Sequence, residues 1–268
     1  AKHIGKIDIL HAHWTYEYAD ACIPFVNIRP VFCTIDDWQP YLRTIFNKKI
    51  SDWFYWTIIS GIVFKKVMRM YPKIHFIANS PYTQKCLANY FKGEQFDIIN
   101  NSLPHEYIIY NRTDYPKTPI LLSICQSLSD PRKNISSLVE AFHLYKNKYL
   151  DAQLWLIGGY DDNIIKQWND NGWMDGITLL GTVQHKEIWN ILDNVSLLIH
   201  PSLEETFGGI LIEAMARKVP VVGGTNSGAV PYVLEFGKIG ELCDVCSPIS
   251  IFQSVEKVIN DQEYRNLL

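Results

Sequence analysis

His200-Pro201-Ser202-Leu203-Glu204-Glu205-Thr206-Phe207-Gly208-Gly209-Ile210-Leu211-Ile212-Glu213-Ala214-Met215-Ala216 is the stretch whose reading decides the fold of this chain. An apolar run over 195–200 enters it as a strand, a polar loop follows, and helical spacing begins near Gly208. Two adjacent glycines at a helix start let the backbone approach a ligand closely, and the unpaired N–H groups there favour an anion. Glu205 precedes that opening and Glu213 lies on the helix, with seven residues between them. Two carboxylates beside an anion-binding helix end cannot both serve the anion. An ionised carboxylate only accepts hydrogen bonds, so hydroxyls are the partners expected for them. A phosphate and a pair of polyol acceptors together describe a nucleotide diphosphate sugar. The plain alternative is two solvated carboxylates, since glutamates at this separation are common by chance.

Outward from this stretch the second half of the chain alternates short apolar runs with helical patterns. Strands are expected over 119–125 (PILLSIC), 153–158 (QLWLIG), 177–180, 195–200 and 220–222. Helices are expected over 134–145, with Leu138, Ala141, Phe142 and Tyr145 on one face, and over 186–192, 210–217 and 249–259. Buried strands alternating with helices of this length imply βα units on a parallel sheet, which binds ligands at the carboxyl ends of its strands. The first half repeats the theme with strands over 7–10, 30–34, 74–78 and 96–99 and a helix over 83–91. A polar stretch over 107–118 suits a linker, and the boundary is placed near Asn111, giving domains 1–111 and 112–268.

The 268 residues are 47% hydrophobic and 20% charged, a globular composition with room for two modest domains. Lys plus Arg number 25 against 28 Asp plus Glu, so no bulk basic field exists to attract nucleic acid. Cys22, Cys33, Cys86 and Cys125 stand singly amid apolar residues, the setting of buried reduced thiols, and a cytoplasmic location is expected. Cys243 and Cys246 have CxxC spacing without a second pair, and His11 and His13 share one strand face without a third ligand, so no metal site is expected. The opening residues lack the apolar core of a secretory leader, and the apolar run over 53–64 falls short of the roughly 20 residues that span a bilayer. Residues 47–73 interleave lysines and an arginine with aromatic residues. They read equally as a helix lying on an anionic membrane surface or as one packed on the first domain's sheet.

The stretch resembles the retaining glycosyltransferases of family four, which share the GT-B fold of two Rossmann-like domains. The likeness is carried by Pro201, Ser202, Glu205, Phe207, Gly208, Glu213, Ala214 and Ala216, and continues through Pro220-Val221-Val222, Ser227-Gly228-Ala229-Val230-Pro231 and the glycines 237 and 240. Upstream, Asp130-Pro131-Arg132-Lys133-Asn134 is similar to the family's lysine turn, and 8–14 and 99–102 resemble first-domain landmarks. The resemblance implies an α/β protein of parallel sheets flanked by helices, with an incomplete first domain. The family's first strand would precede Ile7, and its closing helix would follow Leu268.

By that resemblance Glu213 binds the ribose hydroxyls, Glu205 the hydroxyls of the transferred sugar, and Gly208, Gly209 and Ile210 offer N–H groups to the diphosphate, with Phe207 in the same motif. Lys133 neutralises charge on the leaving diphosphate, the base is held by backbone near Val183, and no metal or other cofactor is implied. Two departures stand out. The family pairs its lysine with an arginine on the preceding loop, whereas 126–129 has none and Arg132 is the substitute on offer. Where the family has Thr-x-His-Asp, this chain reads Thr34-Ile35-Asp36-Asp37, leaving Asp36 to meet a sugar hydroxyl. The expected function is transfer of a sugar from a nucleotide diphosphate sugar to a hydroxyl of a glycan or lipid-linked glycan, as in polysaccharide biosynthesis. The alternatives are a non-catalytic nucleotide-sugar-binding partner of an active subunit and, less well matched to the paired glutamates, a sugar epimerase.

Overall fold

The computed structural model describes residues 6–41, 60–105 and 115–268. The chain divides into two compact units, Ala1–Asn101 and Ser102–Leu268. The boundary expected near Asn111 and the aromatic half of the 47–73 segment lie outside the described residues.

In the second unit the strands are β4 (Ile120–Ser127), β5 (Gln153–Gly159), β6 (Ile177–Gly181), β7 (Leu197–His200), β8 (Val221–Gly224) and β9 (Glu241–Cys243). They form one parallel sheet in the order β6-β5-β4-β7-β8-β9. The chain thus starts in the middle of the sheet, winds to one edge, and returns to wind to the other. Both faces are covered, which is why these strands read as continuous apolar runs and not as alternating ones. Leu121, Leu154, Leu197 and Val222 point to one face, and Leu122, Ile157, Leu198 and Val221 to the other. The first face packs on α4 (Ile135–Lys148) through Leu138, Phe142 and Tyr145, and on α9 (Pro248–Asn260) through Ile251 and Val255. The second packs on α6 (His185–Leu192), α7 (Gly209–Ala216) and α8 (Val230–Val233), through Ile188, Leu192, Leu211, Ala214 and Val230.

Besides the short α8, two helices of this unit escape the periodicity reading. α5 (Asp162–Asp170) is capped by Asp161, whose carboxylate accepts from Ile164 N, and it buries Trp168 completely. Its polar surface (DNIIKQWND) hides a single large anchor, and burying such a side chain contributes roughly 1.5–3 kcal/mol. α10 (Gln262–Leu267) completes the unit, capped by Asp261.

In the first unit β1 (Leu10–His13), β2 (Val31–Ile35) and β3 (Ile74–Ala78) form a parallel sheet in that order. α1 (Glu17–Cys22), α2 (Ser60–Met68) and α3 (Pro81–Tyr90) pack against it through Ala19, Phe64, Val67, Met68 and Leu87. α3 starts at a capping box in which Ser80 Oγ accepts from Thr83 N while Thr83 Oγ1 accepts from Ser80 N. The described end of the 47–73 segment is α2, whose apolar side faces this core while Lys65 and Lys66 are exposed.

Two strand expectations are corrected here. β1 covers Leu10–His13 instead of 7–10, because ladder pairing with β2 begins at Leu10↔Val31 and Ile9 is exposed. The strand expected over 96–99 reduces to one bridge, Ala78↔Ile98. There Phe96 is buried while Ile98 and Ile99 face outward, so this run has no second buried position to extend the pairing. Among the described residues no helix is long and apolar enough to cross a membrane.

Candidate functional site

β4 and β7 lie side by side at the point where the sheet's winding reverses. Loops leaving the carboxyl ends of two such strands diverge to opposite faces and open a crevice for ligand. The loop after β4 carries Lys133, and the loop after β7 carries Glu205. Lys133 Nζ donates to Glu205 Oε1 at 2.6 Å, and His200 Nε2 contacts the same oxygen at 3.1 Å. The side chains keep only 16%, 15% and 5% exposure for Lys133, Glu205 and His200. Burial pushes the Glu205 carboxyl up, but Lys133 and His200 together outweigh it and hold the group well below the usual carboxylate range. Glu205 is therefore an anion that the protein has already desolvated and paired.

The loop around it is fixed by backbone contacts. Ala229 N donates to Glu205 O at 2.8 Å, and Gly228 bridges to Glu205 in parallel register. Gly228 has φ +63, and a Cβ there would stand 2.3 Å from Glu205 O, so only glycine allows this approach. Asn134 joins three loops. It sits in the left-handed region at φ 53, and its Nδ2 donates to Pro201 O at 3.2 Å and Val245 O at 2.7 Å. Leu203 N also donates to Arg132 O at 2.7 Å, which ties the lysine turn to the glutamate loop.

α7 opens at Gly208, which takes φ 86 as the N-cap. Helix geometry leaves the first N–H groups of α7 without intrahelical partners, and a Cβ on Gly209 would meet nothing within 4 Å. An anion has both donors and room at this end. Glu213, on the same helix, has its Oε1 3.2 Å from His185 Nε2, while its Oε2 is buried with no hydrogen-bond partner among the described residues. A buried carboxylate oxygen left without a donor is costly unless a ligand donor completes it.

The structure thus brings Lys133, Glu205, Gly208, Gly209, Ile210 and Glu213 to two adjoining loops and the helix start between them. Phe207 is instead buried in the core beside Leu211, so its side chain shapes the loop from beneath. Val183 is half-buried after β6, just before His185. Arg132 turns its guanidinium onto Asp130, with Nε at 3.3 Å and an Nη at 3.1 Å from Oδ2, beside the cap that Asp130 makes on Arg132 N. Cys125 lies near Lys133 and Glu205, and burial pushes its thiol up to about 12.

Asp36 belongs to the other unit, at the carboxyl end of β2. His13 Nδ1 contacts its Oδ2 at 2.9 Å and Asn79 Nδ2 donates to its Oδ1 at 3.4 Å. His11 and His13 do share one face, their rings 4.7 Å apart, and His11 Nε2 contacts Thr34 Oγ1 at 2.8 Å. Among the described residues no group of three or more His, Cys, Asp or Glu side chains is placed to share a cation.

Two residues that contact the glutamates, His200 and His185, have no site role in the sequence reading. His200 carried one signal, a polar residue closing the apolar strand Leu197–His200. His185 carried none, because its contact with Glu213 is made only by the fold.

Residues 113–268 match the protein family described as Glycosyl transferases group 1. The capsular polysaccharide biosynthesis glycosyltransferase CapM of Staphylococcus aureus is 23% identical over 182 residues, covering 68% of this chain and 46% of that protein. The N-acetyl-alpha-D-glucosaminyl L-malate synthase of Bacillus anthracis is 29% identical over 138 residues, covering 50% of this chain and 35% of that protein. The chain therefore spans half or less of the length of these two relatives. Among solved structures, Anabaena HepE in complex with UDP-glucose superposes with a TM-score of 0.77 at 17% identity, covering 99% of this chain and 73% of that one. That likeness is one of fold, the GT-B fold of Rossmann-like domains.

Proposed function

The chain belongs to the glycosyl transferases group 1 family, and from that membership we propose that it is a retaining glycosyltransferase. It takes a sugar from a nucleotide diphosphate sugar and places it on a hydroxyl of a glycan or lipid-linked glycan. The observation that carries this reading is the bare, buried Oε2 of Glu213 one turn inside a helix whose N-cap, Gly208, lies close to Glu205, the partner of Lys133. A hydroxyl donor, an anion and a second polyol are the three ligand groups that would complete it.

In this reading the ribose hydroxyls donate to Glu213, and the diphosphate lies against the N–H groups of Gly208, Gly209 and Ile210. Both hydrogen bonds to Glu205 fall on Oε1, which leaves Oε2 for a hydroxyl of the transferred sugar. Asp36, held by His13 and Asn79, is assigned to a sugar hydroxyl as well. As the bond to the diphosphate breaks, negative charge grows on its oxygen. Lys133 and the helix N–H groups stabilise that charge more in the transition state than before it. With this positive charge supplied by the chain, no metal ion is assigned a role. The acceptor hydroxyl attacks on the face the diphosphate leaves, and a departing phosphate oxygen takes its proton.

Incubation with UDP-, GDP- and ADP-linked hexoses, followed by NMR of the sugar product, tests the reading. It expects release or transfer of the sugar with its anomeric configuration kept, and loss of turnover in Glu205→Ala. An inverted product would contradict it. One observation favours a second reading: Arg132 is engaged by Asp130, which leaves Lys133 as the cation turned to the site. A non-catalytic partner subunit would bind the nucleotide sugar and leave it intact.

A further inference from the structure

Glu205 Oε1 receives two side chains at once, the Lys133 ammonium at 2.6 Å and His200 Nε2 at 3.1 Å. A carboxylate oxygen has two lone pairs and accepts both, and the histidine is the more buried of the two donors at 5% exposure against 16%. Its position is a consequence of the fold. His200 is the last residue of β7, Leu197–His200, every position of which is buried, and it reaches across the loop to a residue five further on. The two donors differ in what they can do next. Lys133 ends a short turn on a long flexible side chain, and its partner Glu205 lies against Gly208, the N-cap of α7. His200 is held in the strand, and among the described residues its hydrogen bond is to Glu205.

We propose that His200 is a positioning residue that allows Lys133 to pass from Glu205 to the diphosphate when the donor binds. The inference rests on the donor-site reading above and deepens it. In the empty site Lys133 neutralises Glu205. A bound diphosphate competes for the same ammonium, and stripping a buried carboxylate of its charged partner is strongly unfavourable unless another donor stays on it. With the imidazole N–H still on Oε1, Glu205 keeps a hydrogen bond and its orientation while Lys133 turns to the phosphate oxygens. Without it, Glu205 retains Lys133, and the diphosphate meets a cation that is already committed.

The test is titration calorimetry with UDP, GDP and ADP, which carry the diphosphate and no sugar, on the full chain. His200→Leu is expected to weaken binding of the preferred nucleotide at least tenfold. His200→Gln, whose amide N–H reaches about as far as Nε2, is expected to restore it to within twofold. His200→Asn is as polar but one methylene shorter, and it is expected to behave like His200→Leu; it replaces that variant should the leucine prevent folding. The decisive background is Glu205→Gln, where a neutral amide no longer holds Lys133. There the loss caused by His200→Leu or His200→Asn is expected to vanish. A structural role for His200 predicts the same loss in both backgrounds, and that result overturns the proposal. Unchanged affinity in both short variants overturns it too. Glu213→Ala separates the two claims: nucleotide binding that is lost there but unaffected by any His200 variant removes the transfer of Lys133 alone. A wild-type chain that binds none of the three nucleotides removes the donor site and this proposal together.

Discussion

Replacing Gly228 with alanine tests whether the backbone around Glu205 is held as tightly as the structure requires. Gly228 lies at φ +63, where a side chain costs about 1–2 kcal/mol. The added Cβ would come to 2.3 Å from Glu205 O and 3.1 Å from Glu205 N, and both are backbone atoms that no rotamer can move. Overpacking of this kind adds about 1–3 kcal/mol. A total of about 3 kcal/mol lowers the melting midpoint of a domain this size by roughly 6–12 °C. Relief requires the Glu205 segment to withdraw, which breaks the bond from Ala229 N and draws the carboxylate away from Lys133 and His200. Binding of the donor sugar should therefore weaken together with stability. Gly209→Ala is the contrast, because its Cβ would meet no atom within 4 Å. Its stability should be unchanged or higher by about 0.5 kcal/mol, a consequence of a stiffer unfolded chain. Nucleotide binding should still suffer, since the methyl occupies the space in front of the helix start. The assay is thermal unfolding by circular dichroism beside calorimetric titration. A Gly228→Ala chain melting within about 2 °C of wild type would refute the reasoning.

Asn134→Ala should lower stability by about 3–5 kcal/mol, from three lost side-chain bonds at about 1 kcal/mol each and the strain of φ 53 on alanine. Asn134→Gly removes the strain but not the loss, so its denaturant midpoint should fall between those of alanine and wild type. The Glu205 carboxyl, depressed in the folded chain, makes stability depend on pH. Its contribution is complete above the ordinary glutamate value of about 4.3 and is lost as pH falls below it, because the unfolded chain binds the proton first. Glu205→Gln should flatten the acid limb of the stability–pH curve, and an identical limb in both chains would contradict the pairing.

The second unit was legible in the sequence because its strands are covered on both faces. Runs such as QLWLIG and LLIH have no solvent side to obscure them, and each is found within two residues of its expected place. The first unit has, among the described residues, a small sheet of three strands, and there apolar residues such as Ile9, Ile98 and Ile99 face outward, which misplaced one strand and invented another. Within the site, Glu205, Glu213, the glycines and Lys133 were legible because they lie within short motifs. Their supports were not. Asn134 bonds to residues 67 and 111 positions away, and His185 reaches Glu213 across 28. Arg132 shows the same limit from the other side, because the sequence places it next to Lys133 while the fold turns it to Asp130.

The central claim is that the bare oxygen of Glu213 and the open helix start beside it form a nucleotide diphosphate site. Calorimetric titration of UDP, GDP and ADP into the wild-type chain and into Glu213→Ala tests it most directly. The account predicts that one nucleotide binds with a dissociation constant on the order of micromolar, about 8 kcal/mol of binding free energy, and that the alanine variant loses it. Equal binding to both chains, or binding of none of the three nucleotides by wild type, would contradict it.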